Sequence, residues 1–184
     1  MRKVMFAMNI SIDGCYDHTK FMPGVQMMDY FTRLMQDTGV IVYGRKTYEL
    51  MIPYWPDVAK DKSADPEDVA FAEAMAPIPK IVLSRTLKNA AENTRIVSEN
   101  PEGLIRELKQ QPGKKIAFSS PSLMLRMLAA GLIDELYLVV HSVLVGDSKR
   151  LFDNFLVPEK QNFQLVHTEQ FQSGAIALHY QKSE

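Results

Sequence analysis

Three clusters in this 184-residue chain are suited to holding anions: Gly44-Arg45-Lys46-Thr47, Leu83-Ser84-Arg85 and Ser119-Ser120-Pro121-Ser122. They stand at the ends of short apolar runs that read as buried strands, Val40–Tyr43, Lys80–Leu83 and Lys115–Phe118. The first and third clusters also open stretches with apolar residues at helical spacing. A helix N-terminus aims unpaired N–H groups and the positive end of the helix dipole at a bound phosphate. Cations such as Arg45 and Lys46 are unfavourable at that end of a helix unless something negative sits there. Arginine adds a phosphate-matched fork of N–H donors. On residue types alone, the Gly44 cluster fits a phosphate site and a solvated surface equally well, and an isolated Ser-Arg says little. Together on one sheet edge, however, three such strand ends suit a dinucleotide with several phosphates. There is no Gly-x-Gly-x-x-Gly opening, so the site is not of the standard Rossmann kind.

Other chemistries find little support. No Gly-x-Ser-x-Gly elbow and no His-Glu-x-x-His occur. Cys15 is the single cysteine, which excludes an intrachain disulfide and a multi-cysteine metal site, and no metal is expected. Asp17 and His18 lack a third ligand and read as solvated. His141 reads as a satisfied core histidine and His179 as exposed. A net charge of -1 offers no field for nucleic acid or an anionic membrane. No apolar run approaches the about 20 residues of a spanning helix. The segment after Met1-Arg2-Lys3 is short and contains Asn9, Ser11 and Asp13, so it does not read as a signal peptide. The expectation is a cytoplasmic protein without membrane or nucleic-acid partners, acting on a small molecule.

The elements that must position these residues alternate. Val4–Ile12 reads as the first strand, ended by Asp13-Gly14, and Cys15–Gly24 as a loop. Met27, Met28, Phe31, Leu34 and Met35 form an apolar stripe, predicting a helix over Val25–Asp37. Pro53-Tyr54-Trp55-Pro56 reads as a turn-rich loop, and Asp65-Pro66 as a capped helix start. Thr94–Val97 reads as a strand and Asn100-Pro101 as the start of another helix. From Lys114 to Phe155 the pattern is strand, polar turn, helix stopping at Gly131, and a strand over Leu136–Val140, which is a βαβ unit. Leu151, Phe152 and Phe155 read as a short helical knot. Phe163–Phe171 and Ala175–Tyr180 flank Ser173-Gly174 as a C-terminal hairpin. The expected fold is one three-layer α/β domain over residues 1–184. Its sheet is mixed, mostly parallel and of about eight strands, with helices on both faces and a C-terminal β-hairpin.

These stretches also carry a resemblance. Ser119-Ser120-Pro121-Ser122-Leu123, Gly131-Leu132-Ile133-Asp134-Glu135-Leu136 and Val143-Leu144-Val145-Gly146…Arg150-Leu151-Phe152 are similar to a pattern of the dihydrofolate-reductase-like family. That family includes the C-terminal reductase domain of bifunctional riboflavin-biosynthesis proteins. Ser11-Ile12-Asp13-Gly14, Gly44-Arg45-Lys46-Thr47 and Leu83-Ser84-Arg85 match it too, so the resemblance spans essentially the entire chain. It implies an NADPH-dependent reductase of a small pterin-like or pyrimidine-like heterocycle, commonly a homodimer. By the resemblance, backbone near Ala7, Ile12 and Gly14 meets the nicotinamide, and Gly44, Arg45, Lys46 and Thr47 meet phosphates. Leu83, Ser84 and Arg85 lie at the 2′-phosphate, and Ser119, Ser120, Pro121, Ser122 and Leu123 hold the diphosphate. Asp13 marks the substrate end and is the catalytic candidate, Trp55 lines the substrate pocket, and Asp29 lies on the helix that supplies a carboxylate in dihydrofolate reductases. Phe118 occupies the place of a substrate-contacting glutamate, which argues against the native riboflavin precursor as substrate. Ser119 and Ser148 stand where glycines are usual, and they favour the other function class, an inactive nucleotide-binding or structural homodimer. The apolar strand 136–140 with 143–145 suggests the pairing surface.

Overall fold

The computed structural model describes residues 1–21, 24–146, 149–153 and 160–183; Ser148 and Phe155 lie outside them. In chain order the elements are β1 (Val4–Ser11), α1 (Val25–Gln36), β2 (Thr38–Gly44), α2 (Arg45–Val58), α3 (Pro66–Met75), β3 (Lys80–Leu83), β4 (Thr94–Val97), α4 (Pro101–Gln110), β5 (Lys115–Ser119), α5 (Pro121–Ala129), β6 (Glu135–His141), β7 (Phe163–Gln170) and β8 (Ile176–Lys182). The strands form one eight-stranded sheet in the order β4-β3-β2-β5-β1-β6-β8-β7. β1 to β6 run parallel, and β8 and β7 add an antiparallel hairpin at one side. This is the mixed, mostly parallel α/β fold with a C-terminal hairpin that the residue pattern implies. No described helix is long and apolar enough to cross a membrane.

Alternation along the strands builds two cores. Val4, Phe6, Ile116, Phe118, Leu136 and Leu138 face Leu104, Ile105 and Leu108 of α4 and Met124, Met127 and Leu128 of α5. Met5, Ile41, Tyr43, Ala117, Tyr137 and Val139 face Met27 and Met28 of α1, Tyr48 and Ile52 of α2, and Phe71 and Met75 of α3. Strands covered on both faces read as near-continuous apolar runs, as these do.

The structure corrects the sequence reading in several places. β5 and β6 belong to a parallel crossover through α5 but are not neighbours, because β1 lies between them. β6 is therefore interior and its residues 136–139 are buried, which removes the stretch 136–140 as a pairing surface. The segment Pro53–Pro56 is helical rather than a loop. Each proline forfeits a local helix bond, but the Trp55 ring lies 4.6 Å from Phe71 of α3 and its Nε1 is 3.3 Å from Met51 Sδ. That packing outweighs the local preference. His179 is half-buried, stacked on Tyr137 with ring centroids 4.0 Å apart. Asp17 is tied to Lys149 at 2.7 Å rather than freely solvated.

The amino edge of the sheet is closed by ion pairs. Asp134 accepts from the Val4 amide at 2.7 Å and from Lys109 Nζ at 2.6 Å, locking α4 to β1. Glu135, 1% exposed, accepts from Tyr137 Oη at 2.7 Å and lies 3.0 Å from Lys115 Nζ and 3.2 Å from Lys3 Nζ. Burial pushes the Glu135 carboxyl up, but the bonds from Tyr137 and Lys115 outweigh it and hold the group below its ordinary range.

Candidate functional site

The opposite, carboxyl edge carries the anion-suited residues. Because β3, β2, β5, β1 and β6 are consecutive and parallel, their ends at Leu83, Gly44, Ser119, Ser11 and His141 form one continuous rim. The chain direction across the sheet also reverses here, since β5 is inserted between β2 and β1; such switch points are where ligands bind in open α/β sheets.

At the centre of the rim two helices begin side by side. Gly44 precedes α2 and Ser120 precedes α5, and neither residue makes a side-chain cap bond. The starts are in contact: a Cβ at Gly44 would lie 2.2 Å from Ser120 Oγ and 3.0 Å from Ser120 Cβ. The φ of Gly44 is an ordinary -78°, so glycine is needed there for space rather than for conformation. Ser120 is extended at φ -146°, and the only described non-glycine residues with positive φ are Asn93 and Asn100. Ser119 and Ser120 thus occupy the turn without backbone strain. Ser120 is 1% exposed with its hydroxyl turned toward Gly44, whereas Ser119 and Pro121 are half-buried and Ser122 is exposed. The open donors are the first-turn amides of α2, the Ser122 amide of α5 and the Ser119 hydroxyl. Pro121 has no N–H, the Leu123 amide donates to the Ser120 carbonyl at 3.1 Å, and the Ser122 hydroxyl lies 3.5 Å from Ser120 Oγ.

The cations gather to one side of this centre. Arg45, Lys46 and Arg85 are exposed, and Arg45 is paired on the helix surface with Glu49 at 3.0 Å. Thr47 is half-buried. Ser84 is buried and its Oγ accepts from the amides of Leu87 at 2.9 Å and Thr86 at 3.2 Å, so its hydroxyl shapes the turn that presents Arg85. Leu83 and Leu123 belong to the packing beneath.

On the other side of the centre lie β1 and β6. Ala7 is half-buried, Ile12 exposed, and Gly14 takes φ +80°. Asp13 accepts from Ser11 Oγ at 2.5 Å and from the amides of Val145 at 3.1 Å and Gly146 at 2.9 Å. These bonds, with Ser11 first, hold its carboxyl far below the usual carboxylate range. An ionised, fully engaged carboxylate clasps the 143–146 segment and is not a proton donor at neutral pH. Asp29 is exposed on α1, between buried Met28 and Tyr30, and is turned from the sheet.

The two residues expected to line a substrate pocket are not brought together. Phe118 is buried in the core against α4 and α5, while Trp55 is half-buried against α3 on the other face. Residues that the sequence reading passed over do converge: His141 Nε2 lies 3.3 Å from Asn9 Oδ1, and its ring stacks on Phe21 with centroids 4.5 Å apart. His141 is not a core histidine; it ends β6 beside Ser11 at the rim. The single available signal was its position at the carboxyl end of a buried strand.

The sheet order and the C-terminal hairpin define a dihydrofolate-reductase-like α/β domain. The chain belongs to the RibD C-terminal domain family, whose profile matches residues 2–177. It is 28% identical to the uncharacterized protein YyaP of Bacillus subtilis (strain 168), over 97% of this chain and 94% of that one. Its fold is similar to the crystal structure of a candidate riboflavin biosynthesis protein from Shewanella sp. PV-4, with TM-score 0.73, 16% identity and 99% of each chain covered. A pyrimidine reductase-like protein from Corynebacterium diphtheriae gives TM-score 0.65 and 16% identity, covering 100% of this chain and 92% of that one. The family is that of a riboflavin-type reductase domain.

Proposed function

We propose that this protein is an NADPH-dependent reductase of a small pyrimidine-like or pterin-like heterocycle. The observation that carries this reading is the pair of uncapped helix starts in contact at Gly44 and Ser120, flanked by Arg45, Lys46 and Arg85. These residues fit a diphosphate at the centre of the rim and a 2′-phosphate on the β2–β3 side, and bound NADPH supplies the hydride. The chain's own part is to fix the phosphates, place the nicotinamide end over β1 and exclude water. Thermal-shift titration tests it: NADPH should raise the melting temperature at concentrations where NADH does not. Equal responses, or none, would overturn it.

A second copy of the chain is the partner we propose, on the open sheet side rather than on β6. β7 is an edge strand exposed along most of its length, with Leu165 and Val166 both outside, and an unprotected edge of that kind invites pairing. Sedimentation at micromolar concentration should show a dimer; a monomer alone would refute it.

A further inference from the structure

Across the rim, the cations lie over β2 and β3, so the phosphate-rich end of a dinucleotide belongs on that side of the Gly44–Ser120 contact. Its other end must then extend over β1 and β6, two strand spacings or about 10 Å from β5. The side chains there are set by register. Ser11 pairs with His141 in the parallel β1–β6 ladder, and Asn9 precedes Ser11 by two residues, so Asn9, Ser11 and His141 share the face of the sheet on which α2 begins. The 3.3 Å contact with Asn9 Oδ1 orients the His141 ring through Nε2, and Phe21, buried behind the short turn at His18–Lys20, covers its flat face. No described carboxylate at this end is placed to give up a proton near neutral pH, and His18 is exposed on the turn in front of Phe21. Asp13 is fully engaged and ionised, Asp17 is bound to Lys149 and Thr19, and Asp29 points away.

We propose that His141, oriented by Asn9 and covered by Phe21, faces the nicotinamide end of the bound dinucleotide and supplies the proton that accompanies hydride transfer. This rests on the reductase reading above. In the balanced step, the carbon of a substrate C=N or C=O bond gains a hydride, whose two electrons come from the reduced nicotinamide. The displaced π pair moves to the nitrogen or oxygen, which takes the proton from the His141 imidazolium, and water returns a proton to the ring. Substrate is reduced by two electrons and the nicotinamide is oxidised by two.

The electrostatic setting is simple. Burial lowers the His141 pKa from its ordinary 6.5. The charged or titratable groups on the segments around it are Asp13, Asp17, His18 and Lys20 of the β1–α1 segment, with Lys149 on Asp17 and Arg150 3.9 Å from Asp13. On the face of His141, β1 presents Asn9 and Ser11 and β8 presents Ala177, which are uncharged. Among the described residues none forms an ion pair with His141. Its protonation is therefore free to respond to the charge of the nicotinamide, which is positive only when oxidised.

That response is the test. The imidazoles of the four histidines are followed by nitrogen-15 NMR against pH in the full chain, free, with NADPH and with NADP+. His141 is assigned by its loss in His141→Gln. If that variant does not fold, Asn9→Asp serves instead, since a carboxylate beside the ring should raise the His141 pKa by about one unit or more and move that resonance. The expected result is a His141 pKa about one unit or more lower with NADP+ than with NADPH, because a like charge nearby disfavours the imidazolium. Binding of both cofactors with equal His141 pKa values would overturn the inference while leaving the reductase reading intact. Failure of either cofactor to bind would instead remove that reading, and the inference with it.

Discussion

The two edges of the sheet are built from similar residue types but dispose of charge differently. At the amino edge, Glu135 meets Lys3, Lys115 and Tyr137, Asp134 meets Lys109 and the Val4 amide, and the Arg2 Nε donates to the Lys114 carbonyl at 2.6 Å. At the carboxyl edge, Lys46 and Arg85 are exposed, and the amides opening α2 and α5 have no side-chain cap. α4 is the one described α-helix with a side-chain cap. It also begins at the carboxyl edge, yet at the sheet's far side, and there Asn100 Oδ1 caps the Gly103 amide at 3.0 Å. α1 at Gly24 and α3 at Asp65 lack a side-chain cap as well, so what sets α2 and α5 apart is the contact between their starts at the centre of the rim. Internal satisfaction stabilises the fold at one edge; at the other, the exposed cations beside the touching helix starts are what the proposed ligand would complete.

The contrast is broken most severely at Glu135. Removing this carboxylate in Glu135→Ala leaves Lys3, Lys115 and the Tyr137 hydroxyl around a hole and should lower stability by about 3–5 kcal/mol in urea denaturation at pH 7. A loss below about 1 kcal/mol would show that the buried cluster does not support the fold. The pH dependence has a definite sign. The folded-state pKa of Glu135 lies below its ordinary 4.5, so its contribution is present above that value and disappears as pH falls through the lower folded value. In the acid range, the natural protein should therefore lose stability more steeply than Glu135→Ala.

At the carboxyl edge the same kind of change should touch binding and spare stability. Arg85→Ala removes a charge-assisted contact of about 1.5–3 kcal/mol, hence tenfold or more in NADPH affinity, with little change for NADH. Equal losses for both cofactors would place Arg85 on a part they share. Gly44→Ala is smaller and of a different kind. Its Cβ forces buried Ser120 away, so NADPH and NADH should weaken alike, and overpacking should also cost about 1–3 kcal/mol of stability, unlike Arg85→Ala. Adding Ser120→Gly should restore both affinities, and a double variant no better than the single one would show that the close approach is not what glycine serves.

How much of this was legible beforehand follows the range of the interactions. The apolar runs of β2, β3, β5 and β6 and the stripe of α1 are local periodicities, and they place the three anion-suited clusters at strand ends. The insertion of β1 between β5 and β6 depends on pairings such as Val4 with Ile116 and Met5 with Glu135, which no local pattern encodes. Pro53 and Pro56 argued for a loop because the Trp55–Phe71 contact that keeps α2 helical joins two separate elements. Asn9 and His141 are 132 residues apart, so their meeting was equally invisible. Asp134-Glu135, read as a family motif, serves structure at the amino edge.

Ser119 offers the finest comparison, because it sits at the open edge where related proteins usually place glycine. A glycine there serves either a positive φ or a close approach of backbone to ligand. The first need does not arise, since Ser119 ends β5 with negative φ and pairs with Tyr43 as an ordinary strand residue. The second is met one position away and from the other strand, where Gly44 yields the space that Ser120 fills. Ser119→Gly should therefore change NADPH affinity by no more than a few-fold and reduce stability by about 0.5–1 kcal/mol, the cost of glycine's extra freedom in a strand. Isothermal titration of the two proteins decides it. If Ser119→Gly binds NADPH and the natural protein does not, the serine blocks the rim, and the open helix starts of α2 and α5 are not a working cofactor site in this chain.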